Sequence, residues 1–174
     1  RFEEQFDGEA LAEPLDAQFA SRRGYLSARD TGWPQGDVAQ VFALFATWAA
    51  HPQLRGLHSR TARALAEALP RLPSYEVADA AQREAFMRLL RGPRAVETLT
   101  RMARLGVLGQ WIPAFARVSG RMQFDLFHVY TVDQHTLMVL RNIAAFAAGR
   151  ADERFSIAHE VWPRLRKPEL LLLA

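Results

Sequence analysis

The sequence contains no cysteine, so neither disulfides within the chain nor thiolate metal sites are available to it. This absence fits a reducing compartment, and we expect a cytoplasmic protein. The longest apolar run, from Leu170 to Ala174, is far too short to span a bilayer, and the first residues do not form a charged-then-apolar leader. We therefore expect no membrane role.

Basic tracts are also missing. The formal net charge is only +3, because the basic residues are nearly all arginine and are spread among 19 acidic residues. The densest clusters are Arg22-Arg23 and the group of Arg164, Arg166 and Lys167, and each is typical of a solvated surface. We expect no nucleic-acid partner.

Several catalytic and binding motifs are absent as well. The glycines are scattered rather than placed around a strand-to-helix turn, so no phosphate-binding loop is indicated. No serine lies in a nucleophile elbow, which together with the lack of cysteine disfavours acyl transfer. The chain has no internal repeat and no low-complexity tract.

Residues 1–36 are rich in glycine and proline and show little helical periodicity. Within them, residues 18–21 and 25–28 are separated by Arg22-Arg23-Gly24, which predicts a short hairpin with Gly24 at positive φ. A lone hairpin is marginal unless it packs on helices. We expect this arm to be irregular or β.

From Asp37 the apolar pattern becomes helical. Asp37 with Gln40 and Asp79 with Gln82 are start signals, and the first helix places Val38, Val41, Phe42, Phe45 and Trp48 on one face. Four helices are predicted, with starts at Asp37, Ser59, Asp79 and Pro93 and ends at Pro52, Pro70, Gly92 and Gly106.

The second of these helices should begin with Ser59 as its cap. Its spacing predicts that Ala62, Leu65, Ala66 and Leu69 face inward. Short turns should follow the fourth helix, through Trp111 and Pro113. His51 and His58 lie in the connector between the first two helices, where histidines suit capping better than catalysis.

A fifth helix is predicted around His135. Thr131 and Gln134 form a capping-box pattern, so the helix should start at Val132 and run to Gly149. A loop over residues 149–167 and a last helix opened by Pro168 and Glu169 complete the chain. The fold class is all-α, a helical bundle with a short N-terminal arm.

The segment that leads into this helix is rich in polar side chains. His128 lies in that segment and His135 lies in the first turn of the helix, seven residues further on. Asp133 and His135 point about 200° apart on a helix, so they do not easily chelate one ion together. We expect Asp133 to stabilise the helix dipole. A structural role is favoured for His128, although a metal pair of His128 and His135 stays open.

The run Phe-His-Val-Tyr-Thr-Val-Asp-Gln-His-Thr, residues 127–136, resembles the start of the HD phosphohydrolase domain in the bacterial bifunctional enzymes that uridylylate and deuridylylate the nitrogen-regulatory protein PII. The resemblance continues upstream through residues 51–59 and downstream through residues 161–165 and 168–174. It covers nearly the whole chain, and the His135 segment is its most specific part.

This resemblance implies the domain organisation. Residues 1–36 would leave a nucleotidyltransferase domain, residues 37–118 would form a helical connector, and residues 119–174 would begin the HD domain. The transferase domain would move UMP from UTP to a tyrosine of PII, and the HD domain would hydrolyse the UMP off. Glutamine would be sensed by further regulatory domains.

The resemblance also implies a metal site. His135 would be the first ligand of a divalent ion, Mg²⁺ or Mn²⁺, and Asp125, His128 and Tyr130 could reach the site from the preceding loop. The family has a His-Asp doublet soon after the apolar run that here ends at Ala174, and this sequence contains no such dipeptide. Three of the four expected ligands are therefore missing, and we expect an incomplete, truncated HD-type domain with no assignable catalytic residue.

Two alternatives stay open from the sequence. The first is a non-catalytic helical interaction module in which His135 is retained for packing. The second is a helical domain of an RNA-processing nucleotidyltransferase, for which RNA binding with a steep salt dependence would be diagnostic.

We predict that the isolated chain neither transfers UMP to PII nor removes it, because the transferase motifs and the His-Asp doublet are absent. Incubation with PII, UTP and Mg²⁺, and separately with uridylylated PII and Mn²⁺, tests both directions. Turnover by the purified chain in either assay would contradict this prediction.

Overall fold

A computed structural model describes residues 12–92, 94–120, 131–149 and 156–172. Within these ranges the chain forms eight α-helices and one small sheet near its N-terminus, in agreement with the predicted fold class. None of the described helices combines the length and the apolarity needed to cross a bilayer. The helices are α1 (Val38–Ala50), α2 (Ser59–Ala68), α3 (Ala80–Leu90), α4 (Ala95–Arg104), α5 (Val107–Trp111), α6 (Pro113–Val118), α7 (Val132–Ala147) and α8 (Ser156–Val161).

The predicted hairpin is confirmed and belongs to a four-stranded sheet. The strands are β1 (Ala12–Pro14), β2 (Phe19–Arg22), β3 (Tyr25–Ala28) and β4 (Gly56–Leu57), in that spatial order. The first two pairs are antiparallel, and β4 is parallel to β3. Pattern reasoning missed β1 and β4 because strands of two or three residues have too few positions to show a period of two.

The hairpin turn has two residues, Arg23 and Gly24, since Arg22 pairs directly with Tyr25. Both have positive φ, 51° and 80°, as a type I′ turn requires. The Arg55 side chain contacts this turn. Its guanidinium donates to the Arg23 carbonyl at 2.7 Å and lies 4.6 Å from the centre of the Tyr25 ring.

The sheet packs on the helices. Phe19 and Leu26 are fully buried in the same core as α1 and α2. Phe19 meets Trp33 edge-on with ring centres 6.2 Å apart, and the Ala28 N–H donates to the buried Thr61 hydroxyl of α2 at 3.0 Å. These contacts supply the helical support that an isolated hairpin lacks.

Two predicted helix starts are confirmed by their caps. The Asp37 carboxylate accepts from the Ala39 N–H at 2.8 Å at the start of α1. At the start of α3, Asp79 and Gln82 form a complete capping box, with bonds of 2.8 Å and 3.2 Å.

The second helix departs from its prediction in two ways. Its N-cap is His58, whose Nδ1 accepts from the Arg60 N–H at 3.4 Å, and not Ser59. The buried stripe is Thr61, Leu65 and Ala68, whereas Ala66 is exposed. The predicted face omitted Thr61 because a hydroxyl is polar, but the Ala28 N–H satisfies that hydroxyl inside the core.

The region after α4 is more helical than predicted. The expected turns through Trp111 and Pro113 are α5 and α6, and Pro113 occupies the first turn of α6, where its missing N–H costs nothing. The fourth predicted helix itself is confirmed as α4, which begins at Ala95 and ends before Gly106. Pro93 lies outside the described residues.

The C-terminal part also differs from its prediction. The expected loop over residues 149–167 contains α8, followed by a 3-10 turn at Trp162–Arg164. The last predicted helix, opened by Pro168, is the 3-10 segment Pro168–Leu172 rather than an α-helix.

The centre of the core is an aromatic cluster around Trp111, which is 1% exposed. Its ring lies 4.9 Å from Phe42 of α1 and 5.6 Å from Phe86 of α3, measured between centres. Tyr75, from the loop before α3, meets it edge-on at 5.6 Å. Helix α5, which was not predicted from the sequence, therefore carries the central residue of the core.

We predict that Trp111→Ala lowers the free energy of unfolding by about 3–5 kcal/mol, the range for removing a large aromatic side chain from a core. Val77→Ala is the matched control, because Val77 is 76% exposed and its truncation should change stability by less than about 0.5 kcal/mol. Urea denaturation followed by circular dichroism measures both. A Trp111→Ala variant as stable as the control would show that the cluster does not hold the core.

Candidate functional site

His135 lies in the first turn of α7, and its side chain is exposed. The helix begins at Val132, as predicted, and the His135 N–H closes the first helical hydrogen bond with the Thr131 carbonyl at 2.9 Å. Because the residue sits on a 16-residue helix, its backbone position is set by regular structure rather than by a loop.

The capping box predicted at this start does not form. Thr131 is the N-cap residue, with φ −65° and ψ 157°, but its side chain makes no capping hydrogen bond to a helical N–H. Asp133 takes over this role. Its carboxylate competes better than a neutral hydroxyl for the free N–H groups of a helix N-terminus, because it carries charge.

Asp133 also ties α7 to α6. Its Oδ1 accepts from the Gly120 N–H at 3.0 Å, across the end of α6. Burial raises the pKa of Asp133, but hydrogen bonds from Gly120, from the Thr131 hydroxyl and from the N–H groups of Asp133 and Gln134 outweigh it, so the pKa is lowered. This agrees with the predicted role in stabilising the helix start.

The described residues contain no group of three or more histidine or acidic side chains placed to hold a metal ion. His135 is one exposed donor, and Asp133, two residues before it, is committed to backbone N–H groups. One imidazole does not hold a hard divalent ion against water, so these residues alone do not fit the implied metal. Asp125, His128 and Tyr130 lie outside the described residues.

The connector histidines have the predicted capping roles. His51 follows α1, and its Nδ1 lies 2.8 Å from the Thr47 carbonyl in the last turn of that helix, which also accepts from the His51 backbone N–H. His58 caps α2. A fifth histidine, His159 of α8, was missed: it packs edge-on against Phe146 with ring centres 5.6 Å apart, and its Nε2 is buried without a hydrogen-bond partner.

A cleft of about 610 Å³ separates the α3–α4 connector from the C-terminal half of α7. Arg91 bridges it: Nη1 lies 2.8 Å from Glu84 of α3, and Nε lies 3.4 Å from Glu169 near the chain end. Sequence reasoning identified residues 91–93 only as a helix connector. The partner Glu169, 78 positions away, could not be found from local patterns.

A second cleft of about 400 Å³ lies between α4 and the N-terminal half of α7. We refer to it as the α4–α7 groove. Its position shows that the end of α4 lies beside the start of α7, whereas the first cleft places the start of α4 beside the end of α7, so the two helices are antiparallel. The residues that line the groove are Thr100, Arg104, Asp133, Gln134, Leu137, Met138 and Arg141.

Comparison with known proteins decides the family. A family model described as the third domain of uridylyltransferase GlnD matches residues 19–111, from the second strand to the end of α5. The chain belongs to this family. The match includes the hairpin and the whole aromatic cluster and ends before α7.

Curated relatives extend this similarity over α7. Proteins named bifunctional uridylyltransferase/uridylyl-removing enzyme from Xanthomonas euvesicatoria pv. vesicatoria (strain 85-10) and Xanthomonas oryzae pv. oryzae (strain MAFF 311018) are 82% and 79% identical over all 174 residues. One from Thiobacillus denitrificans is 43% identical over 92% of the chain and 19% of its own length. The chain spans 20% of the length of the Xanthomonas proteins. No solved structure matches it.

We predict that Asp133→Ala loosens α7, because it removes the carboxylate that accepts from Gly120 and from the helix start. Loss of such a cap costs about 1 kcal/mol, so amide hydrogens of α7 should exchange roughly fivefold faster. Asn142→Ala is the control, since this exposed residue lies on the same helix beyond its start. Equal exchange rates in the two variants would contradict the capping role.

Proposed function

We propose that this chain is part of a bifunctional enzyme that uridylylates the signal protein PII with UTP and hydrolyses UMP from uridylylated PII. The observation that carries the proposal is the 82% identity, over the whole chain, to a protein named for both activities. UTP and glutamine would be bound by other regions of the protein, and PII would be the protein substrate.

Within that enzyme, residues 19–111 serve as a helical scaffold that carries α7. Helices α4 and α6 both contact α7, and the Gly120–Asp133 hydrogen bond fixes the point where α7 begins. The aromatic cluster makes this scaffold rigid, so α7 starts from a defined position. We propose that the scaffold aligns the opening helix of an HD phosphohydrolase domain.

His135 is the residue that we propose to take part in the removal of UMP. Its imidazole is exposed on a regular helix, so it can bind a metal ion together with ligands from other residues of the protein. A divalent ion, Mg²⁺ or Mn²⁺, would activate water for attack on the phosphoester when bound. The described residues contribute a single donor, so the site would be completed by residues outside the described ranges.

A non-catalytic helical interaction module is the competing function. It is favoured by the absence, among the described residues, of any group of three or more histidine or acidic side chains that could hold a metal ion. The two functions differ in what the loss of His135 does to the full-length enzyme.

In the full-length protein, His135→Ala should reduce the removal of UMP from PII by orders of magnitude, since it deletes a ligand of the ion that activates water. Transfer of UMP to PII should largely survive, because that chemistry belongs to another domain. Asn142→Ala is the matched control: it is exposed and lies on the same face of α7, two turns further on. Both reactions are assayed in each variant.

The ratio of the two activities decides between the functions. A selective loss of deuridylylation supports the hydrolytic role of His135. An unchanged deuridylylation rate in His135→Ala would overturn that role and leave the interaction module as the better description.

A further inference from the structure

The α4–α7 groove contains two guanidinium groups whose charge is not neutralised by the described residues. Arg104 lies on α4 and Arg141 on α7, so they reach the same groove from separate helices. Both side chains are exposed, and neither forms a hydrogen bond or ion pair with another described residue. Two cations that share a groove repel each other, and an anion between them relieves this repulsion.

Three other arginines of this region have carboxylate partners. Arg91 pairs with Glu84 and Glu169, while Arg94 and Arg101 pair with Glu97. Glu84, Glu97 and Glu169 are thus engaged in ion pairs with these arginines. None of the three lines the α4–α7 groove. The positive charge of Arg104 and Arg141 is therefore left for a ligand.

The one carboxylate that lines the groove, Asp133, does not cancel this charge. Its oxygens accept hydrogen bonds from Gly120 and from the start of α7, and it makes no ion pair with either arginine. Two arginines and one aspartate leave the lining with a net positive charge. The groove therefore attracts an anion at its arginines.

The remaining lining residues define the rest of the ligand. Leu137 and Met138 are the apolar residues of the lining and offer contact to a flat ring, while the exposed Gln134 supplies an amide that can both donate and accept. The Thr100 hydroxyl donates to the Val96 carbonyl at 2.8 Å, which leaves its oxygen as an acceptor. A volume of about 400 Å³ lies in the range of small-molecule sites.

We propose that the α4–α7 groove binds a nucleoside monophosphate, with Arg104 and Arg141 on the phosphate and Leu137 and Met138 against the base. Arginine forks match phosphate oxygens in geometry as well as in charge. The choice of a nucleoside monophosphate over other phosphate esters rests on the proposed function, since UMP is the product of deuridylylation. The two-arginine anion site itself rests on the groove alone.

The test is calorimetric titration of UMP into the full-length protein, compared with the double variant Arg104→Gln, Arg141→Gln. The variant should lose a UMP site or bind there at least about tenfold more weakly, because hydrogen bonds from arginine to a charged phosphate are among the stronger ones in proteins. Arg63→Gln is the control: Arg63 is exposed on α2, has no partner among the described residues and lines neither cleft, so UMP binding should be unchanged.

Inorganic phosphate and uridine identify the part of the ligand that is recognised. Phosphate should compete for the site that the double variant loses, and uridine alone should compete poorly. Arg104→Lys, Arg141→Lys should recover part of the binding, which a merely unfolded variant would not explain. Unchanged UMP affinity and stoichiometry in the Gln variant, or competition by uridine equal to that by UMP, would overturn the proposal.

This outcome is separable from that of the proposed function. If His135→Ala leaves deuridylylation intact while the Gln variant loses UMP binding, the groove is an anion site and the hydrolytic role of His135 fails. If His135→Ala abolishes deuridylylation while UMP binding is unaffected by the Gln variant, the proposed function holds and the groove proposal fails.

Discussion

Three aromatic rings from three helices meet at the centre of this molecule, and the rest of the described structure depends on that contact. Phe42, Phe86 and Trp111 lie with ring centres 4.9 to 5.6 Å apart. The Trp111 Nε1 is buried without an acceptor, so packing rather than hydrogen bonding sets the position of the indole. The contact fixes α1, α3 and α5 relative to one another.

Helix α4 connects these three helices to α7. It contacts α1, α3, α5 and α7, with Leu99 and Met102 buried on the core side. Its charged residues fasten it further: Arg94 donates to the Ala49 carbonyl at the end of α1, and Arg101 lies 4.2 Å over the Trp48 ring. Burial lowers the pKa of Arg101, although Glu97 opposes the shift. The other side of α4 is left to form the groove.

Helix α7 buries far fewer of its side chains than α1 does. Leu140 is the buried residue of its 16, whereas α1 buries seven of 13. Its starting point is instead set by the Gly120–Asp133 hydrogen bond and by contacts with α4 and α6. An element with few buried side chains opens more easily than the core.

The sequence by itself determined the helical class, a hairpin with Gly24 at positive φ, the starts of α1, α3 and α7, and the family, because local caps, periodicity and a specific residue run carry that information. The structure shortened the predicted Arg22-Arg23-Gly24 connection to two residues, since Arg22 pairs with Tyr25. It did not reveal β1, β4, α5 or α6, whose few residues give no period. Thr131 illustrates the limit at the candidate site: the capping pattern was present, but a nearby carboxylate at Asp133 and a distant N–H at Gly120 provided a stronger arrangement. Only the tertiary structure placed Arg104 and Arg141 on the same groove and Arg91 beside Glu169, since such pairs depend on how helices pack and leave no trace in sequence spacing.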